Sequence, residues 1–174
     1  MRVLLVGFFI AVLDQLTKSL VRREFMWGES RSVIDGFFHL TYVRNPGAAW
    51  GMLDQHGVWL TIFSMIMLVL IVVYRRRFLS DTWEHRLALG LMVGGIVGNL
   101  LDRLRFGYVI DFLDFHWRGH HWPAFNVADS AICTGVGIYI ISSLWIGDHP
   151  LQDPEKKAGG DIQQRTGAKP DAHH

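Results

Sequence analysis

Apolar positions in this chain fall in long runs, over 3–21, 58–74, 87–101 and 127–145, rather than in helical stripes. At 1.5 Å rise per residue the three longer runs each cover about 26 Å or more as helices, against a hydrocarbon core about 30 Å thick. A helix that is apolar on every side needs an apolar surrounding, so the pattern predicts four membrane-spanning helices. The third run is long enough only as 83–103, and its last turn then carries Asn99, Asp102 and Arg103 into the interface.

The segments between the runs have their own signals. In 28–57, Phe37 to Val43 mixes aromatic, β-branched and polar residues like a short strand, and Asn45-Pro46-Gly47 reads as a turn. A small β-rich cap over 28–57 is predicted on the outer face. Segment 104–126 carries Tyr108, Trp117, Trp122 and several Phe, which suits the headgroup level. Residues 148–174 are polar and rich in turn formers, predicting a disordered tail. The expected fold class is an all-α membrane protein: a four-helix transmembrane bundle with a small β-rich cap. It forms one membrane domain over 1–147, followed by the tail.

Composition agrees with that expectation. Of 174 residues, 50% are hydrophobic and 19% charged, below the roughly 25% charged of an average soluble protein. The net charge of +1 gives no reason to expect a nucleic-acid partner. Residues 1–13 imitate a secretory signal, but Asp14, Gln15 and Lys18 follow where a small-residue cleavage site would stand, so a retained first helix is expected. The lone Cys133 excludes a disulfide framework and a cysteine metal site. With both termini inside, nine Lys and Arg fall inside and seven outside; the Arg75-Arg76-Arg77 cluster directly after a span is the clearest inside marker.

Charge within these runs is where chemistry is to be sought, because a carboxylate at mid-membrane costs roughly 2.5–3.5 kcal/mol on insertion scales. Asp14 and Lys18 are four apart with the acid first, the favourable order for an intrahelical ion pair. Gly90, Gly94 and Gly98 form a smooth ridge for close helix packing. Asn99, Asp102 and Arg103 share the next turn, either as a self-satisfied polar cap or as substrate contacts. Asn126 fits a helix cap, which leaves the burial of Asp129 a turn deeper unexplained.

Asp111 and Asp129 are each embedded in apolar neighbours. Two carboxylates meeting in a poorly solvated site tend to share one proton, the state that aspartic peptidases use. Asp114 competes with Asp111 for that role. On a helix the two would share a face, whereas in an extended segment three positions put them on opposite faces. Gly107, Val109 and Ile110 favour the extended case.

His116 and His120 have helical ligand spacing, and His121 follows, but Gly119 and Pro123 argue against a helix there. Neither metal nor cofactor is expected. No Gly-x-Ser-x-Gly occurs, which disfavours a serine hydrolase.

Five ordered blocks carry a family resemblance: Asp14-Gln15-x-Thr17-Lys18, residues 43–51 around Asn45-Pro46-Gly47, residues 98–103 around Asn99 and Asp102-Arg103, Val109-Ile110-Asp111-Phe112, and residues 125–130 around Asn126 and Asp129. Over 3–145 the chain resembles the bacterial lipoprotein signal peptidases, or signal peptidase II. The resemblance implies an inner-membrane aspartic peptidase with both termini cytoplasmic and its active site at the periplasmic side. It would remove signal peptides from lipid-modified prolipoproteins, on the amino side of the diacylglyceryl-cysteine.

By the same resemblance Asp111 and Asp129 are the catalytic dyad. Asn45, Asn99, Arg103 and Asn126 line the site or hold substrate backbone, while Asp14, Lys18 and Asp102 are structural polar residues. The implied partners are prolipoprotein substrates and membrane phospholipid, the protein itself being a monomer. Trp50 stands where Phe is more usual. The alternative is a small ion- or proton-coupled membrane carrier, which would spread its carboxylates across the bilayer depth.

Overall fold

Along the ridge of Gly90, Gly94 and Gly98 two helices come into close contact. A methyl group on Gly94 would stand 2.6 Å from the Gly7 carbonyl oxygen, and one on Gly98 would stand 2.5 Å from the Asp14 carboxylate. Only glycine lets the two backbones approach so closely.

The computed structural model describes residues 2–47, 57–78 and 82–147. The helices are α1 (Arg2–Glu24), α2 (Gly57–Phe78), α3 (Trp83–Phe106) and α4 (Val127–Gly147). The strands are β1 (Ser30–Ile34), β2 (Phe38–Asn45), β3 (Val109–Trp117) and β4 (His120–His121). The described residues up to Ser142 form one compact unit, and all that follows concerns it. Trp50 and the tail lie outside the described residues.

Helices α1, α3 and α4 are long and apolar enough to cross a membrane, while in α2 the apolar stretch is the shorter Val58–Tyr74. Within those windows 44% of α3 is buried in the protein against 17% for α1 and α4, so α3 is the inner helix. Outward faces carry large apolar side chains, among them Leu4, Phe8 and Phe9 of α1, Val73 of α2 and Ile141 of α4. A surface of this kind is stable in lipid and costly in water. The chain is a membrane protein with a small sheet.

That sheet is larger than the pattern of residues 28–57 foretold. Four antiparallel strands run in the order β1-β2-β3-β4, and two of them come from the segment assigned to the headgroup level. The extended reading of 109–111 holds, and the fold is therefore helical with a sheet, a correction to all-α. Left-handed Gly107 (φ 77°) ends α3 and turns the chain into β3. A cluster of Val21, Tyr42, Ile110 and Phe112 joins the end of α1 to β2 and β3. Phe106 of α3 and Val127 of α4 pack against that cluster, so α3, β3 and the start of α4 bring their polar side chains to one end of the bundle.

Candidate active site

Lys18 is the anchor of that polar end. Its ammonium lies 2.9 Å from Asp14 Oδ2, 2.9 Å from Asp102 Oδ2 and 2.8 Å from Asn99 Oδ1, so each of its three donors has an acceptor. The intrahelical pair expected from spacing exists, and α3 joins it through Asp102. Asp14 Oδ1 also accepts the Ala128 N–H at 3.0 Å, taking up one of the free amides at the start of α4. Asp102 accepts from Gln15 Nε2 at 2.9 Å and from the Ile110 N–H at 3.2 Å. Helices α1, α3 and α4 and strand β3 are thereby tied to one buried charge cluster.

Asn99, Asp102 and Arg103 are consequently no self-satisfied cap. Asp102 faces α1, whereas Asn99 turns to α4 and donates to Asp129 Oδ1 at 2.7 Å. Asn126 and Asp129 bond reciprocally, Asp129 N–H to Asn126 Oδ1 at 2.9 Å and Asn126 N–H to Asp129 Oδ2 at 3.3 Å, which closes a capping box on α4. The cap that sequence assigned to Asn126 thus includes Asp129 as well. Asn126 Nδ2 donates to Asp111 Oδ1 at 2.7 Å and to Asn99 Oδ1 at 3.2 Å. Asn45 Nδ2 donates to the other Asp111 oxygen at 2.9 Å, and its own Oδ1 accepts the Gly47 N–H.

The result is two carboxylates on one cavity of about 310 Å³, bridged by Asn99 and Asn126. Asn45, Asn99, Arg103, Asp111 and Asp129 line it, with Trp122 and Phe125 as apolar walls. Burial, followed by the nearby Asp129 charge, pushes the Asp111 carboxyl up to about 7 despite hydrogen bonds from Asn45 and Asn126. The Arg103 guanidinium is within electrostatic reach of Asp129, Asp111 and Asp102, and among the described residues it forms no ion pair or hydrogen bond.

Asp114 lies on the opposite face of β3. Thr41 Oγ1 donates to its Oδ2 at 2.8 Å, and the Nε2 atoms of His116 and His121 lie 3.1 Å and 2.6 Å from its Oδ1. Burial opposes its ionisation, but the Thr41 bond and the two imidazoles hold this carboxyl below its ordinary range. Helical spacing in the sequence pointed only to His116 with His120, and Gly119 and Pro123 argued against a helix there. The hairpin instead groups Asp114, His116 and His121, with one ligand atom each within 4.8 Å of the others. Sequence also gave no role to Gln15, which bonds Asp102, the Gly98 carbonyl and Arg105, although its place beside Asp14 was a usable signal.

Known proteins share this arrangement of elements. The family described as Signal peptidase (SPase) II matches residues 6–145. A lipoprotein signal peptidase of Syntrophotalea carbinolica is 44% identical over 142 residues, covering 80% of this chain and 88% of the relative. One from Geobacter sulfurreducens is 46% identical over 136 residues, covering 76% and 85%. A bacterial membrane enzyme solved by the in meso method superposes with a TM-score of 0.77 at 32% identity, covering 87% of this chain and 92% of that one. Nothing in these likenesses supports a carrier.

Proposed function

Because the chain belongs to the signal peptidase II family, we propose that it is a membrane-embedded aspartic endopeptidase acting on lipid-modified prolipoproteins. It cuts on the amino side of the diacylglyceryl-cysteine. The observation that carries this reading is the convergence of Asp111 and Asp129 on one cavity, joined through Asn99 and Asn126. The carboxyl of Asp111, pushed up to about 7, suits the partner that keeps the proton.

Asp129 takes a proton from water as the water oxygen attacks the scissile carbonyl carbon, and Asp111 gives its proton to the carbonyl oxygen. The tetrahedral adduct then collapses. Asp129 returns its proton to the leaving amine while Asp111 recovers one from the adduct's hydroxyl, so the pair ends with the single proton it began with. Asn45, Asn99 and Asn126 hold the two carboxyls in place, and Arg103 is the free donor for a substrate backbone carbonyl. Asp14, Lys18 and Asp102 are structural.

The remaining features follow from the same reading. Helix α2 is the fourth crossing, the termini are cytoplasmic and the sheet caps the periplasmic side of the bacterial inner membrane. Residues 1–147 form the peptidase domain, and the protein works as a monomer. Acyl chains of the substrate stay in the bilayer, and their burial, at about 0.8 kcal/mol per CH₂, helps to position the bond.

Purified protein should cleave a lipidated prolipoprotein, and Asp111→Asn and Asp129→Asn should each abolish cleavage at normal membrane levels. Near-normal cleavage by either variant would remove the dyad. A periplasm-active reporter should work when fused after Arg31 or Arg118 and fail after Arg77; activity after Arg77 would invert the topology.

A further inference from the structure

Strand register brings together Asp114, His116 and His121. Asp114 and His116 are two apart on β3, so both project from one face. Arg118 (φ 48°) and Gly119 (φ 82°) supply the positive-φ pair that a tight two-residue hairpin requires between Trp117 and His120. The register then sets His121 directly opposite His116. Two Nε2 atoms approach Asp114 Oδ1, at 3.1 Å and 2.6 Å.

Both imidazoles converge on this one carboxylate oxygen. Its Oδ2 is occupied by Thr41, whose hydroxyl lies 2.7 Å from that of Ser30. The Asp114 residue is only 5% exposed, and neither its Oδ1 nor His116 Nε2 has a partner in hydrogen-bond geometry. One ligand atom from each of Asp114, His116 and His121 lies within 4.8 Å of the others, close enough for a single ion to join them.

We propose that Asp114 Oδ1, His116 Nε2 and His121 Nε2 form a binding site for a divalent transition metal ion of the zinc class. Two imidazole nitrogens and one carboxylate oxygen are a donor set that zinc accepts, with water in the fourth position. Thr41 is the outer partner that fixes the carboxylate's orientation. The ion lies on the face of β3 away from Asp111 and takes no part in peptide cleavage. Its role is to staple β4 to β3, which steadies Trp122 and Phe125 in the cavity wall.

The full-length protein, purified in detergent micelles and stripped with a chelator, should bind one equivalent of Co²⁺ with a visible absorption band. Zn²⁺ should displace the Co²⁺ and raise the thermal unfolding midpoint. His116→Ala and His121→Ala should each bind at least about tenfold more weakly, and Thr41→Val about tenfold more weakly. His173 and His174 remain in every variant, so unchanged binding by the His116→Ala, His121→Ala double variant would overturn the site. Absence of a saturable equivalent in the unsubstituted protein would overturn it too. A readout free of folding defects is carbethoxylation of the unsubstituted protein: Zn²⁺ should protect His116 and His121, and equal modification with and without Zn²⁺ refutes the proposal.

Discussion

Strand β3 presents an aspartate on each of its faces, and the two meet opposite surroundings. Asp111 is held by the amides of Asn45 and Asn126, near a second carboxylate and a half-buried arginine. Asp114 is held by a hydroxyl and approached by two imidazoles. One carboxyl is pushed up to about 7, and the other is held below its usual range. Amide donors with a neighbouring anion leave a carboxyl able to keep a proton, whereas donors that can carry positive charge favour the anion. The same residue type, three positions away, is thereby given the opposite protonation tendency.

The widest separation between the faces should appear in cleavage. Asp111→Asn is expected to lose about 10²-fold or more of prolipoprotein cleavage, the scale of a lost acid or base, while Asp114→Asn at matched membrane levels keeps measurable activity. The reverse pattern would reassign the dyad to Asp114 and Asp129.

Stability should separate them next. The Asp111 face is anchored through Asn99 and Asn126 to Lys18, which is 1% exposed between two carboxylates. Lys18→Met strands those carboxylates, at a cost of about 3–5 kcal/mol. Denaturant unfolding of the protein in micelles measures it, and an unshifted midpoint would mean that these ion pairs add nothing to stability.

A smaller effect lies in pH. The folded Asp111 carboxyl keeps its proton up to about 7, above the ordinary value of 3.8. Between those values the unfolded chain ionises first, so this group's contribution to stability is full below about pH 4 and lost as pH rises through about 7. The fall should be seen in the unsubstituted protein and be absent from Asp111→Asn, as followed by thermal unfolding across pH 4 to 8. Cleavage should decline above pH 7 as Asp111 gives up its proton. A pH slope unchanged in Asp111→Asn would place the titrating group elsewhere.

Much of this was legible along the chain, because some constraints are local. Apolar run length set the helices to within a few residues, since a bilayer demands about 20 apolar positions whatever the neighbours are. Spacing of four gave the Asp14 and Lys18 pair and the glycine ridge, and Gly107 with two β-branched residues gave the extended start of β3. Other features depend on partners distant in sequence. That Lys18 takes Asp102 as a second carboxylate, that Asn99 reaches Asp129, and that Asp111 accepts from Asn45 are contacts spanning tens of residues. No local periodicity encodes them.

His116 and His121 meet across the register of a hairpin, a pairing that the helical spacing of His116 and His120 does not encode. Sequence by itself determined which segments are apolar enough to enter a membrane and where charge interrupts them, because burial and backbone propensity act residue by residue. Which side chains share one cavity, and which carboxyl is pushed up, only tertiary structure decided, because those properties belong to the space between elements.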